Sequence, residues 1–310
     1  MRKDSKIYVA GHRGLVGSAI VRVLKDNGFS NLVLKTREEL DLLDDKLVSD
    51  FFETEKPEYV FLSAGKVGGI LANSTYSGEF IYQNLKVQNN IIHNAYKTGV
   101  NKLLFLGSSC IYPREAPQPI KEEYLLSGLL EPTNEAYAIA KIAGIKMCQA
   151  YNKQYKTNFI SVMPTNLYGQ NDNFDLQTAH VLPALIRKTH EAKIKNEKNI
   201  TIWGTGTPKR EFLYVDDLAD ALLYLMQNYD DSEIINVGTG EDISILDLTK
   251  KIANVVGFKG QILNDISKPD GMPRKLLDIS KILDLGWKPK TSLDDGLKLT
   301  YDWYLQNNND

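Results

Sequence analysis

Cysteine is nearly absent from this 310-residue chain, which has only Cys110 and Cys148. Two thiols cannot form the disulfide framework that staples small secreted folds, and they suit a reducing compartment. Histidine is scarce as well, four in all, and shows no metal-ligand spacing with the cysteines, so no metal is expected. No apolar run is long enough to span a membrane. The opening "MRKDSKIYVAGHRG" enters a strand and turn without a signal-peptide apolar region, so a cytoplasmic location is expected. An excess of one charge is missing too: the net charge is -2 and the pI ≈ 6.1. That balance argues against a general nucleic-acid or membrane-surface binder, and an anionic ligand would need local cations. Short-period repeats and Pro- or Ser-rich linkers are also lacking. What remains is ordinary globular material, 43% hydrophobic and 25% charged, long enough for one large α/β domain or two smaller ones.

Through the first half, strand-like and helix-like segments alternate. Residues 7–10, 32–34, 59–63 and 102–109 read as strands, and "FISVMPTNLYG" (159–169) as one more. Between them "SAIVRVLKDNG", "DKLVSDFFETEK", 80–99 and 134–155 have helical spacing, with Asn134 placed to cap the last. Continuous apolar strands alternating with helices mean a parallel sheet covered on both faces. Beyond Gly169 the pattern loosens, and a smaller lobe built from interrupted segments is expected. The fold expected is therefore a Rossmann-type doubly wound α/β sheet with a discontinuous C-terminal substrate lobe. Its boundaries are 1–168 and 211–238 for the cofactor domain, with 169–210 and 239–310 for the lobe.

"GHRGLVG" sets Gly11, Gly14 and Gly17 three apart between the first strand and the first helix. Glycines there permit a tight turn and a close approach to a pyrophosphate, whose charge meets the helix N-terminus. Alone this fits any βα turn; at the first strand of an α/β chain it reads as a dinucleotide site. An acid ending the second strand favours NAD, a base favours NADP. Here "LVLKTREEL" supplies Lys35 and Arg37, and Arg13 lies in the turn, so NADP is expected despite Glu38 and Glu39. Lys35 fits a solvated charge run equally well.

The stretch "GSSCIYP" ends an apolar strand in two hydroxyls and a thiol. On a strand Ser108 and Cys110 share a face, a hydrogen-bond donor beside a possible acid-base group. Strand-end cysteines are more often packing than chemistry. In "YAIAK", Tyr137 and Lys141 are four apart on one helix face. Free tyrosine, with a pKa of about 10, exchanges protons poorly near neutrality, and an adjacent ammonium lowers that value. Such a tyrosine can protonate an alkoxide as hydride arrives.

Taken together, the chain resembles the extended short-chain dehydrogenase/reductases, and among them the GDP-L-fucose synthases. These are epimerase-reductases of GDP-4-keto-6-deoxymannose. The likeness runs through "GHRGLVGSAI", "KVGGI", "LGSSCIYP", "LEPTNEAYAIAKIAGIK", "SVMPTNLYG", "HVLPALIRK", "WGTGTPKREFLYVDD", "NVGTG" and "KPDGMPRKLLD". Gly65 departs from it, standing where alanine is expected. The resemblance implies that Ser108, Cys110, Tyr137, Lys141 and His180 are catalytic. Dehydratases similar to this chain carry glutamate at the position of Cys110; here a thiol is expected to be the epimerisation base, with His180 returning the proton. The cofactor residues implied are Gly11, His12, Arg13, Gly14, Leu15, Val16, Gly17, Arg37, Leu106, Gly107, Ser108, Ser109, Lys141, Pro164, Thr165, Asn166, Leu167 and His180. Lys188, Trp203, Arg210 and Asp270 fall at substrate positions for the GDP-sugar: two cations, a flat wall and an acceptor. Arg210 could instead pair with Asp216 or Asp217 across the lobes. A homodimer through the helices at 80–98 and 134–155 is also implied. Two other readings compete. One is a different NAD(P)-dependent sugar-nucleotide epimerase or dehydratase. The other is a non-catalytic dinucleotide-binding scaffold.

Overall fold

The computed structural model describes residues 1–268 and 270–308; Pro269 of "KPDG" lies outside them. The N-terminal half runs β1 (Ile7–Ala10), α1 (Leu15–Asp26), β2 (Leu32–Val33), α2 (Asp45–Glu55), β3 (Tyr59–Leu62), α3 (Ile70–Thr75), α4 (Ser77–Lys97) and β4 (Lys102–Leu106). It continues with α5 (Glu135–Tyr155), β5 (Phe159–Pro164), β6 (Asn166–Tyr168) and α6 (Val181–Ile194). After these come β7 (Asn199–Trp203), β8 (Lys209–Tyr214), α7 (Val215–Asn228), β9 (Ile235–Val237), β10 (Asp242–Ser244) and α8 (Ile245–Val256). The last elements are β11 (Gln261–Asp265), β12 (Arg274–Lys275), α9 (Ser280–Asp284) and α10 (Leu293–Asn307).

β1, β4 and β5 are buried along their whole length, as expected of apolar strands covered on both faces. They form the centre of a six-stranded parallel sheet in the order β2-β1-β3-β4-β5-β9. Helix α1 packs on α7, and α4 packs on α2 and α5. The order reverses between β1 and β3, and in such sheets ligands bind beyond the strand ends at that point. A four-stranded assembly centres on β8, which pairs with β6, β10 and β12, while β7 pairs with β11. Two cores result. The smaller gathers Tyr168, Phe174, Leu182, Leu248, Leu297 and Tyr304 around this second part. The larger surrounds the parallel sheet and also takes Leu277, Ile279, Ile282 and Trp287, from the stretch assigned above to the lobe.

Two local readings need correction. The stretch 159–169 is not one strand: β5 stays in the parallel sheet through Pro164, whereas β6 pairs with β8. Thr165 carries the crossing, its N–H bonded to the Val237 carbonyl (3.0 Å). The strand at 102–109 stops at Leu106, and Ser109–Ile111 form a single 3₁₀ turn. Asn134 does precede α5, but its side chain makes no capping bond.

Candidate active site

The first glycine turn is built as its spacing requires. Gly11 has φ +85, and a Cβ added there would lie 2.9 Å from the Ala64 backbone. A Cβ on Gly17 would stand 2.0 Å from the Gly11 carbonyl oxygen. Gly14 differs: its nearest atom would be 3.6 Å away, and its exposed backbone caps α1. Two glycines therefore hold the turn, while the third leaves an open cradle at a helix N-terminus. His12 adds a buried ring nitrogen, Nδ1, without a hydrogen-bond partner among the described residues. Burial, followed by the charge of Arg13, holds its pKa below the usual histidine value.

After β2, Thr36 donates its N–H to Glu39 Oε2 (2.7 Å), so this acid closes its own turn. Backbone hydrogen bonding in that turn is the main cause lowering the pKa of both Glu38 and Glu39, and Arg13 contributes to each. The Arg13 charge thus reaches the loop carrying Arg37. The open cradle, the orphaned nitrogen and these cations fit a phosphorylated dinucleotide.

At the end of β4 the turn brings together what a strand would only have aligned. Ser108 Oγ lies 3.0 Å from Cys110 Sγ and accepts the Cys110 N–H at 3.3 Å. Cys110 is half-buried and unpaired. Tyr137 is buried, and its ring meets Phe80 edge-on at 6.4 Å. Burial raises the Tyr137 pKa, and the Cys110 charge raises it further; a hydrogen bond with Ser108 opposes both. Lys141 donates to the Leu106 carbonyl (2.9 Å) and lies 5.9 Å over the Tyr137 ring. Its own pKa falls to about 8 through burial. The expectation that Lys141 holds the tyrosine pKa down is therefore corrected: in this buried pocket desolvation outweighs the ammonium.

Burial first, and the Cys110 charge second, keep Tyr137 protonated, which makes it a hydrogen-bond donor. A cavity of about 220 Å³ lined by Lys66, Ala72, Phe80 and Thr178 lies behind Phe80. A larger one, about 500 Å³, sits at the opposite end of α1 and β2 from the glycine turn and carries none of this chemistry.

His180 heads α6, exposed, and its ring makes no hydrogen bond among the described residues. Although the residue reaches solvent, the protein crowding its ring desolvates it and keeps its pKa below the usual histidine value. The backbone just before it is fixed by Gly69 N–H on the Thr178 carbonyl (3.1 Å). Lys188 donates to the Thr201 carbonyl. Trp203 is 69% exposed, with Lys268 Nζ 5.6 Å over its ring. Asp270 accepts from Thr205 N (2.9 Å) and Thr205 Oγ1 (2.8 Å), which ties it to the turn after β7. Arg210 donates to the Met272 carbonyl (2.7 Å). It does not pair across the lobes, because Asp216 binds Arg22 and Asp217 accepts from Thr291 and Lys290.

Sequence reasoning missed Lys275. It pairs with Arg210 across β12 and β8, and burial lowers its pKa while the Cys110 charge raises it. A lysine opening the apolar "KLL" run was the available signal. Burial lowers the pKa of both Lys141 and Lys275, and the Cys110 charge acts on each in the opposite sense. Gly65 has a local reason: a Cβ there would lie 2.8 Å from Asn84 Oδ1, which accepts the Lys66 N–H.

Residues 7–238 match the family described as NAD dependent epimerase/dehydratase. The chain is 60% identical to GDP-L-fucose synthase 1 of Arabidopsis thaliana, over 98% of this chain and 94% of that one. It is 54% identical to GDP-L-fucose synthase of Escherichia coli, over 97% of each. Among solved structures it is similar to a GDP-mannoheptose C4 reductase from Campylobacter jejuni with NADP bound. There the TM-score is 0.91 and the identity 48%, over 98% of this chain and 99% of that one.

Proposed function

The chain belongs to the NAD dependent epimerase/dehydratase family, and from that membership we propose that it converts GDP-4-keto-6-deoxy-D-mannose to GDP-L-fucose. It inverts C3 and C5 and then reduces the C4 ketone. NADPH, held by Gly11–Gly17, Arg13 and Arg37 on one side and by 106–109 and 164–167 on the other, supplies the hydride when bound. The cofactor domain is 1–168 with 211–238, and the substrate lobe 169–210 with 239–310, apart from the 277–287 stretch that packs into the larger core.

The chemistry follows from the substrate. A C4 ketone acidifies the hydrogens on C3 and C5, and removing either places charge on O4. Cys110 is the base. Ser108 and Tyr137 donate to the enolate oxygen, and Tyr137 can do so because its burial keeps it protonated. His180 returns a proton to the inverted carbon. In the reductive step Tyr137 gives its proton to O4, with Lys141 stabilising the phenolate left behind. Arg210 and Lys188 hold the diphosphate, Trp203 offers a stacking wall and Asp270 accepts from ribose or base. Two unpaired cysteines suit a cytoplasmic setting, and no described helix is long and apolar enough to cross a membrane. The enzyme acts as a homodimer through α4 and α5.

The observation that carries this reading is the Ser108 Oγ–Cys110 Sγ pair at 3.0 Å beside Tyr137. The test is turnover of GDP-4-keto-6-deoxymannose with NADPH in heavy water, followed by NMR. GDP-L-fucose with deuterium at C3 and C5 is expected. Likeness to a GDP-mannoheptose C4 reductase favours a second reading, simple ketone reduction. NADPH consumption without deuterium entry would select it, and absence of any turnover would leave a dinucleotide-binding scaffold.

A further inference from the structure

Cys110 rides on a turn whose own backbone bonds are long. Its N–H reaches Ser108 Oγ at 3.3 Å, and Ile111 N–H reaches the Ser108 carbonyl at 3.3 Å. Tyr112 N–H meets the Ser109 carbonyl at 3.4 Å, so all three lie beyond the usual range. Pro113 comes next and has no N–H with which to extend the turn. What holds the turn from outside is short. The Tyr112 hydroxyl, on a side chain 3% exposed, donates to Asn236 Oδ1 at 2.6 Å.

Asn236 is arranged to receive that hydroxyl. It is 0% exposed, and its backbone lies in β9 in register with Met163 of β5. Its N–H is accepted by Glu122 Oε1 (3.0 Å). Its Nδ2 donates to the carbonyls of Ile120 (2.9 Å) and Asp278 (3.1 Å). Two carbonyls on the amide nitrogen fix which way the group faces, and the oxygen is left for Tyr112. Plain packing does not explain this pair. A phenylalanine at 112 would fill the same space without a buried acceptor, and a leucine at 236 would need no partners. Hydroxyl and amide together make an anchor that runs from the parallel sheet to the turn.

We propose that Tyr112 is a positioning residue for proton abstraction. Held by Asn236, it fixes the turn at Ser109–Ile111 and with it the Ser108 Oγ–Cys110 Sγ pair at 3.0 Å. The proposal rests on Cys110 being the base. Without the anchor the turn relaxes about its long bonds, and the thiol leaves the geometry from which it reaches a substrate hydrogen. A displacement of about 1 Å costs rate steeply. Ser108 and Ser109 move with the turn, so cofactor affinity shifts as well. The measure is therefore the rate at saturation.

The experiment is solvent exchange per active site. GDP-4-keto-6-deoxymannose and NADP⁺, both saturating and with no reductant, are incubated in heavy water. Deuterium entry at C3 and C5 is followed by NMR. NADPH titration counts the folded sites in each preparation, so any loss of folded protein cancels. Tyr112→Phe is expected to lower exchange per site at least about 10-fold. The control is Thr300→Val, which deletes another buried hydroxyl, bonded to the Gly296 carbonyl (2.7 Å) in α10. It should lose stability yet keep exchange per site within about two-fold of wild type. Unchanged exchange per site in Tyr112→Phe, or equal losses in the two variants, would overturn the proposal and leave Tyr112 a structural tie. If Tyr112→Phe does not fold, Asn236→Ala removes the same bond from the acceptor side, and the same comparison decides. Cys110→Ser separates the premise. Wild-type exchange there removes the base assignment and the proposal with it, whereas abolished exchange beside an unaffected Tyr112→Phe removes only the role of Tyr112.

Discussion

At the scale of single residues, burial decides which charges the pocket can hold. Burial pushes the Tyr137 pKa up, and Lys141 is a cation kept at the expense of folding. Its pKa drops from 10.5 to about 8 because burial disfavours the ammonium. A group whose folded pKa lies below its unfolded one opposes folding most at low pH. That penalty is full below about 8 and fades as pH rises toward 10.5. Lys141→Met removes the titration. The stability of this variant minus that of wild type should therefore be about 2 kcal/mol more favourable at pH 7 than at pH 9.5. Denaturant unfolding of both proteins at the two pH values measures it, and a flat difference would show that Lys141 is not desolvated. Reduction should be lost in the same variant, since no cation then supports the phenolate.

Elements explain why the reactive groups meet. The glycine turn shows this in two parts that separate by experiment. Gly17→Ala would force a methyl 2.0 Å from the Gly11 carbonyl, so β1 and α1 must part. Soluble yield should collapse, or the melting temperature fall by many degrees. Gly14→Ala meets nothing closer than 3.6 Å, so the fold should hold while the methyl crowds the phosphate cradle. Its NADPH affinity should fall about 10-fold or more with melting of the free protein nearly unchanged; thermal unfolding with fluorescence titration tests both. These glycines, the apolar strands and the Tyr137–Lys141 spacing were legible because each depends on neighbours in sequence. The 3₁₀ turn at Ser109–Ile111 was not, since "KLLFLGSSC" has no breaker but Gly107. The serine and thiol were paired for a strand's reason and meet for a turn's. Lys275 stayed hidden on different grounds: its partner Arg210 is 65 positions away, joined only by the β12–β8 pairing.

For the whole molecule, the parallel sheet could be read from alternation, whereas the second sheet could not. Its strands are two to six residues long and come from scattered segments, with β6 leaving the line of β5 after a single residue. The same scale governs assembly. Helices α4 and α5 pack closely, yet their outer faces keep large apolar side chains in solvent: Tyr82 is 62% exposed, Ile139 43% and Tyr155 40%. Tyr96 and Tyr155 stack across the pair at 4.1 Å, with Tyr151 edge-on to both. Such rigid aromatic surface anchors interfaces at little entropic cost. Two copies meeting through these faces would form a four-helix contact and cover that surface without touching the pocket. Light scattering on the purified protein should therefore give twice the 34.9 kDa chain mass. Placing a carboxylate at both Tyr82→Asp and Ile139→Asp should halve the mass, because an unpaired charge inside an apolar contact costs several kcal/mol. A mass of one chain for the wild type would place the partner surface elsewhere or remove it. The variant should still bind NADPH, since neither side chain belongs to the cofactor or substrate residues, and a monomer that keeps its cofactor would show that assembly and chemistry are separable in this fold.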